Sequence, residues 1–597
     1  MIRSAAPVAT ASDSYTLSSA THQPPKLSVV SGIRKLLPVM EGERSIVLQA
    51  LIAVIVTSTS GLIGPMIIGR TIDVYIRNRD FQGVLHSALI LFFVYLCGLF
   101  SSYFQTQRMG AVGRRVLFNL RNALFVKLQS LPVAFFNQNK TGDLISRINS
   151  DTDKLNQFFS QALVQFAGNL FMMTGAGIFL ISLNPRLGAV ALLPALGVLI
   201  VTQLLSPWIR RKNTKNLQSV GGMSAEIQES LNNFKVIVAF NRTDYFRSRF
   251  NEANAQNYTS AVDAGLASNV FMPIYGLSQN LAQIVVTALG IYWIGTSGVS
   301  VGLLIGFLLY VNSFYMPLRQ LAAMWAQLQL ALAAVDRISE VLVLEPNMPV
   351  IAAAPAVSSG LLKFDNVSFG YREGQNILKD ANFVLQRGKT YALVGPTGGG
   401  KTTTASLMAR LYDPSSGSVL LEGRDIRTFS PEERTTRIGF ILQEPFLFTG
   451  TVRDNIAYGH PKYRDLPSAE LVEILRQNNL AELLVRFDQG LDTKVTSSGD
   501  SVSLGQKQLI AFMRAALRNP ELLILDEATA NIDTITEQLL QEILDKLPAS
   551  TTKVIIAHRL NTIANADEIF FVNAGSIVPA GSMEHAMDML LHGKRES

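Results

Sequence analysis

The chain has 597 residues, enough for several domains, and only 16% of them are charged while 48% are apolar. Soluble domains carry about 25% charged residues, so the deficit points to a large lipid-embedded portion. The net charge is +7 and there is one cysteine, Cys97. A single thiol excludes a disulfide framework and a thiolate metal site, and leaves Cys97 a packing role.

Residues 1–30 are rich in Ser, Ala, Thr and Pro and have no apolar core. They read as a mobile cytoplasmic tail, neither a cleavable signal nor a structural element. Residues 31–344 carry the membrane portion. Ile46–Gly69, Phe81–Gln107, Leu155–Leu183 beyond its first turn, and Leu187–Trp208 hold no Asp, Glu, Lys or Arg. Ala264–Leu318 is also uncharged and is broken by a Gly-Thr-Ser-Gly turn at Gly295–Gly298. A bilayer core of about 30 Å takes roughly 20 helical residues, so the first four runs hold one crossing each and the fifth holds two. Six spans are expected.

Loop charge orients them. The loops after spans one, three and five hold only Arg70, Arg77, Arg79 and Arg186. The loop after span two holds eight basic residues from Arg108 to Lys154, and the loop after span four holds eight from Arg210 to Arg249. The positive-inside bias places both long loops and both termini in the cytoplasm of a multi-pass membrane protein. Much of the +7 is thereby explained, and no nucleic-acid partner is needed. Span two is expected to run on as helix through Gln107–Leu131, with a turn over Phe135–Asp153 and a return helix from about Leu144. Thr141 and Asp143 are good capping residues there. The second long loop is expected to turn near Phe240–Phe246.

Spans five and six place Asn269, Tyr275, Gln279, Asn280, Gln283, Tyr310, Asn312 and Tyr315 in otherwise apolar helices. Two readings stand: an amphipathic, uncharged cavity for hydrophobic ligands, or hydrogen bonds between helices. A helical connector (Leu321–Leu344) and a Pro/Ala-rich linker (345–357) follow. From 358 to 597 short apolar runs alternate with helical stretches, the pattern of a soluble α/β domain.

Gly395-Pro396-Thr397-Gly398-Gly399-Gly400-Lys401-Thr402 fits the phosphate-binding loop G-x-x-x-x-G-K-[ST]. It follows an apolar strand, Thr390–Val394, and opens a helix, Thr402–Leu411, so backbone N–H groups and a helix N-terminus would cradle phosphates. Lys401 would meet the β- and γ-phosphates of ATP, and Thr402, with Thr403 beside it, would reach Mg²⁺. Leu522–Asp526 reads as a buried strand ending in two carboxylates. Asp526 suits Mg²⁺, and Glu527 suits a general base on the attacking water. Val554-Ile-Ile-Ala-His558 is another apolar strand whose terminal His558 would reach the γ-phosphate, although a lone histidine is often a plain core residue. Gln443, after the apolar run Ile-Leu, would reach Mg²⁺ and water while its flanking loop touches the membrane half. Tyr371 could stack on adenine.

Tyr371, the phosphate loop, Gln443, Asp526–Glu527, Asp533 in Ala-Asn-Ile-Asp and His558, in that order, resemble the ATP-binding cassette (ABC) exporter family over nearly the whole chain. Thr141-Gly-Asp-Leu-Ile-Ser-Arg147 is similar to the first coupling helix of type I (type IV fold) exporters. The resemblance implies a six-helix all-α transmembrane domain joined to an α/β P-loop NTPase (ABC) domain. It also implies two such halves whose ATPase domains clamp two ATPs. Each ATP lies between one domain's phosphate loop and the other's signature, usually LSGGQ. Here the signature is Val502-Ser503-Leu504-Gly505-Gln506: Ser503, Gly505 and Gln506 keep the pattern, and leucine replaces the first paired glycine. The preceding Thr496-Ser-Ser-Gly-Asp500 also departs from the family's acidic, glycine-containing loop. A leucine side chain at a helix N-terminus meant to face a phosphate should weaken that contact. An intact phosphate loop beside an altered signature is similar to one half of a heterodimer, with a homodimer tolerating the change as the alternative. The expected activity is ATP-driven export of lipophilic or amphipathic small molecules from a bacterial inner membrane. A lipid flippase and a siderophore-type importer are the competing readings.

Overall fold

The computed structural model describes residues 15–17, 42–296, 299–345, 348–352, 360–372, 374–460, 462–496, 501–526, 534–556, 565–581 and 583–592. Two compact units separate. One comprises Ser18–Lys127 and Gly142–Leu342, and the other comprises Met1–Leu17, Leu128–Thr141 and Val343–Ser597.

Among its described residues the first unit contains six helices long and apolar enough to cross a membrane. They are α1 (Arg44–Ile76), α2 (Phe81–Ser130), α3 (Thr141–Leu183), α4 (Pro185–Asn232), α5 (Thr243–Thr296) and α6 (Val301–Val343). The uncharged stretches account for only part of each. At 1.5 Å per residue α2 is about 75 Å long, far more than a bilayer needs, so it runs on into water as its basic second half requires. The expected turn over Phe135–Asp153 is largely helical. Pro132 and Asn139 are extended around a short helix, Val133–Gln138, and the return helix starts at Thr141. The second turn falls where expected: α4 ends at Asn232, a short helix spans Phe234–Ala239, and α5 begins at Thr243. Of the Gly295–Gly298 turn, positions 297 and 298 lie outside the described residues.

Small residues let α1 and α6 approach backbone to backbone. A Cβ on Gly302 would stand 2.1 Å from the Gly69 carbonyl oxygen, so neither helix tolerates a larger residue there. Asp73 closes this junction by accepting from the Gly302 N–H at 2.8 Å and from the Ser300 hydroxyl at 2.5 Å. Tyr310 and Tyr315 are buried, and their hydroxyls donate to the carbonyls of Leu62 at 2.7 Å and Ala191 at 2.9 Å. For these two tyrosines the reading as hydrogen bonds between helices holds over the cavity reading. Gln279 Nε2 of α5 donates to Asn312 Oδ1 of α6 at 3.1 Å, also a bond between helices but on an exposed surface.

A charge network organises the start of α3. Arg147 is 1% exposed and donates to Asp143 at 2.9 Å, to Glu340 at 2.9 Å and to the Arg337 carbonyl at 2.5 Å. Arg337 in turn donates to Asp143 at 2.8 Å and pairs with Asp151 at 3.2 Å, and Lys154 reaches Asp151 at 2.8 Å. These contacts tie the beginning of α3 to the end of α6. Removing Arg147 strips a partner from Asp143 and Glu340, which are partly exposed, so solvent screening limits the cost to about 1–3 kcal/mol. Arg147→Ala should therefore lower the thermal melting temperature in lipid nanodiscs markedly, and Asp143→Asn added to Arg147→Met should recover part of the loss.

The second unit is an α/β domain. A four-stranded antiparallel sheet has the order β2 (Leu378–Leu385), β1 (Leu362–Phe369), β4 (Ser416–Leu421), β5 (Arg424–Asp425). A six-stranded sheet has the order β12 (Ser576–Pro579), β11 (Glu568–Asn573), β3 (Thr390–Val394), β10 (Thr552–Ile556), β9 (Leu522–Asp526), β6 (Ile438–Ile441). From β11 to β6 every pairing is parallel. A two-stranded pair, β7 (Gly450–Thr451) with β8 (Lys494–Val495), completes the set. The parallel sheet is buried on both faces, as its unbroken apolar strands demand. Along β9, Leu522 and Ile524 enter the core shared with Phe364, Leu385 and Met408. Leu523 and Leu525 enter the opposite core, with Leu475, Phe487 and Phe512.

Candidate functional site

Because β3, β9, β10 and β6 run parallel, their carboxyl ends open at one edge of the sheet, where ligands of such folds bind. β3 delivers the loop Gly395–Gly400 and the helix α7 (Lys401–Met408). Gly395 has φ +145° and Gly400 has φ +113°. A Cβ on Gly395 would stand 2.0 Å from the Val572 carbonyl oxygen of β11, and one on Gly399 would stand 2.6 Å from the same atom. Only glycine lets the loop lie this close to β11. The buried Lys401 ammonium donates to the carbonyls of Gly395 at 2.8 Å and Pro396 at 3.1 Å, so it sits inside the loop it serves. Pro396, Thr397 and Gly398 form the exposed rim.

β9 ends in Asp526, 3% exposed, whose Oδ1 accepts from the Thr402 hydroxyl at 3.3 Å. Two hard oxygen donors thus meet at the start of α7, a set that suits Mg²⁺. β6 pairs with β9 so that Ile441 faces Leu525, and Gln443 follows Ile441 by two residues. Glu527, Asp533 and His558 lie outside the described residues, so the structure brings together the phosphate loop, Thr402, Asp526 and the β6 edge. Tyr371 is partly exposed, and its hydroxyl shares a hydrogen bond with Thr403 Oγ1 at 3.1 Å, which holds the ring beside the loop.

The signature begins a helix, α8 (Leu504–Ala516), with Ser503 as its N-cap. Ser503 Oγ accepts from the Gln506 N–H at 3.2 Å and Gln506 Oε1 accepts from the Ser503 N–H at 2.8 Å, a reciprocal capping box. Gln506 Nε2 also donates to the Arg486 carbonyl at 2.6 Å. Gly505 is buried, while Leu504 is 41% exposed at the first helical position.

Two features went unread in the sequence because they depend on residues far apart in the chain. The first ties the Gln443 loop to α8. Asn455 donates to the Phe448 carbonyl at 2.8 Å and accepts from the Phe448 N–H at 2.8 Å. Arg514 of α8 donates to the Asn455 carbonyl at 2.8 Å, to its side chain at 2.9 Å and to the Phe446 carbonyl at 3.0 Å. The second ties the turn before α3 to the nucleotide edge. Asn137 donates to the Tyr412 hydroxyl at 2.6 Å, and the Tyr412 ring lies edge-on to Tyr371, 5.1 Å between centroids. Burial pushes the Tyr412 phenol above its ordinary value, the Asn137 bond partly offsetting this, so the hydroxyl stays neutral.

Comparison with known proteins agrees with this geometry. The ABC transporter transmembrane region model matches residues 47–318, and the ABC transporter model matches residues 378–530. The chain is 33% identical over 92% of its length, and 91% of the relative's, to the uncharacterized ABC transporter ATP-binding protein YfiC of Bacillus subtilis. It is 32% identical over 85% of its length to a fatty acid ABC transporter ATP-binding/permease protein of Mycobacterium bovis, covering 80% of that protein. It is 32% identical over 79% of its length to the putative multidrug export ATP-binding/permease protein YgaD of Bacillus subtilis, covering 82% of that protein. The chain belongs to the ABC transporter family. It has the layout of an exporter half-transporter: a multi-pass membrane domain with six spans, followed by one ATPase domain that binds and hydrolyses ATP.

Asn455 is fully buried and serves the Gln443 loop at both its donor and its acceptor. Asn455→Ala should cost about 1–3 kcal/mol in the ATPase domain by leaving the Phe448 N–H and Arg514 short of partners. Differential scanning calorimetry, with hydrogen exchange across residues 443–449 rising in the same variant, checks it.

Proposed function

We propose that this chain is one half of a heterodimeric exporter of lipophilic or amphipathic compounds. Both termini and the ATPase domain lie on the cytoplasmic side of a bacterial inner membrane. The observation that carries the heterodimer is an asymmetry within one domain. The phosphate loop is formed, with Lys401 seated and Thr402 paired to Asp526. The signature instead presents the exposed Leu504 at the start of α8.

ATP with Mg²⁺ supplies the phosphoanhydride bond whose hydrolysis drives the cycle. The loop N–H groups from Gly395 to Gly400 and Lys401 hold its phosphates, and the Tyr371 ring stacks on adenine. Thr402, Asp526 and Gln443 hold the metal. Glu527 takes the proton of the attacking water, and His558 contacts the γ-phosphate. A partner half with an intact signature completes this site. Ser503, Gly505, Gln506 and Asp533 of this chain face the partner's phosphate loop in return. There the Leu504 side chain holds the helix N-terminus away from phosphate and slows hydrolysis. ATP drives the cycle only through its higher affinity for the closed pair.

For the cargo, the exposed Gln279–Asn312 pair offers both a donor and an acceptor on a largely apolar helix surface. That chemistry suits an uncharged amphipathic molecule, and the long apolar runs suit one that arrives from the bilayer. A lipid or fatty acid is the second reading, favoured by the name of the M. bovis relative. Stimulation of ATP turnover by lipid alone would separate it from drug-type cargo.

The deciding measurement is ATP hydrolysis by this chain alone in lipid nanodiscs, beside Leu504→Gly and Glu527→Gln. The chain alone should be nearly inactive. Leu504→Gly should raise turnover about tenfold, equivalent to 1.4 kcal/mol of regained phosphate contact. Glu527→Gln should still bind ATP yet hydrolyse none. Robust activity of the unaltered chain, silenced by Glu527→Gln, would mean a working homodimer and a serviceable signature.

A further inference from the structure

Within the segment expected to be a loose tail, Tyr15–Leu17 is held in place. Tyr15 is the sole Phe, Tyr or Trp among the first 30 residues, and it is 5% exposed. Its ring meets that of Phe135 edge-on, 6.3 Å between centroids and at 90°. Phe135 is itself fully buried and edge-on to Phe136. The Tyr15 hydroxyl donates to the Glu345 carbonyl at 3.3 Å. An aromatic side chain with a polar tip is the economical anchor for a short peptide, since it buries a large area while fixing only two torsions.

The backbone around that anchor is recognised by one side chain. Asn139 Nδ2 donates to the Tyr15 carbonyl at 2.8 Å, and Asn139 Oδ1 accepts from the Leu17 N–H at 3.0 Å. An amide that donates to one peptide C=O and accepts from the N–H two residues on reproduces the pairing a neighbouring strand would offer. Asn139 is held for this by its second donor hydrogen, given to the Phe135 carbonyl at 2.8 Å. Ring, hydroxyl and both backbone groups of the segment therefore meet matched partners.

The receiving turn is the one that carries Asn137. Through the Tyr412 hydroxyl and the Tyr371 ring it connects to Thr403 of α7, the helix that follows the phosphate loop. We propose that Phe135, Asn139 and Glu345 form a peptide-binding cleft for the chain's own Tyr15–Leu17 segment. Its occupancy ties the turn at Leu128–Thr141 to the stretch from Val343 to Glu345, and so couples both to nucleotide at the phosphate loop. Because the ligand is tethered, its effective concentration is on the order of millimolar, and a weak peptide contact suffices. Release of the segment frees the turn from the linker stretch, so any event that captures or modifies residues near Tyr15 would reset the coupling.

Hydrogen exchange on the full-length chain in nanodiscs tests the contact. Peptic fragments covering residues 13–19 should exchange slowly in the unaltered chain and at the free-peptide rate in Asn139→Ala and Tyr15→Ala. Free-peptide exchange in the unaltered chain would overturn the cleft. A chain lacking residues 1–20, shown to melt cooperatively and to bind ATP, should bind a labelled peptide of residues 11–20 saturably. The Tyr15→Ala peptide should bind at least about tenfold more weakly, as loss of a buried ring and a hydrogen bond predicts. Equal binding of the two peptides would also overturn it. Saturating peptide should shift the ATP affinity of the truncated chain about fivefold. An unchanged ATP affinity would refute the coupling while leaving the cleft.

Discussion

The chemistry of this chain depends on parallel strand pairing. β3, β10, β9 and β6 run in the same direction, so their carboxyl ends lie at one edge of one sheet. They are far apart in the chain, from Gly395 to Ile556, yet pairing brings them within a few strand widths. Both faces of the sheet are buried, each in its own core. The close approach of Gly395 and Gly399 to the Val572 carbonyl then locks the phosphate loop to β11.

The membrane unit works under a different constraint. Between apolar helices in lipid there is no hydrophobic driving force, so close packing and buried polar contacts decide the arrangement. The glycines at 69 and 302, and the hydroxyls of Tyr310 and Tyr315, supply both. Where α3 leaves the apolar region the rule changes again. Arg147, buried among Asp143, Glu340 and the Arg337 carbonyl, is a charge that only an assembled network tolerates. The start of α3 and the end of α6 are thereby made one mechanical piece.

The ATPase unit has its own connections between distant segments. Arg514 and Asn455 join the signature helix to the loop after β6, which carries Gln443. Asn137, Tyr412 and Tyr371 join the turn before α3 to Thr403 of α7, the helix that follows the phosphate loop. The first link centres on a cationic guanidinium held by carbonyl and amide oxygens, and the second uses a neutral amide and two tyrosines.

Local chemistry was legible in the residues themselves. Uncharged runs of about 20 residues mark bilayer crossings because the hydrocarbon core excludes charge. The spacing of Gly395, Gly400, Lys401 and Thr402 marks a phosphate loop because few other residues permit that backbone. The departure at Leu504 was visible for the same reason. Partners distant in sequence were not legible. No local pattern says that Arg147 meets Glu340, that Asn137 reaches Tyr412, or that Asn139 holds Tyr15 in a segment whose composition resembles disorder. The cavity reading of Tyr310 and Tyr315 was equally open until helix packing placed their hydroxyls on the carbonyls of Leu62 and Ala191. The residues alone marked which segments are apolar enough to cross a membrane, which carry the phosphate-loop pattern and where the signature departs, because each follows from the chemistry of neighbouring residues. Only the tertiary structure decided which polar groups are satisfied within the protein, because that depends on which distant backbone and side-chain partners the fold brings within hydrogen-bonding distance.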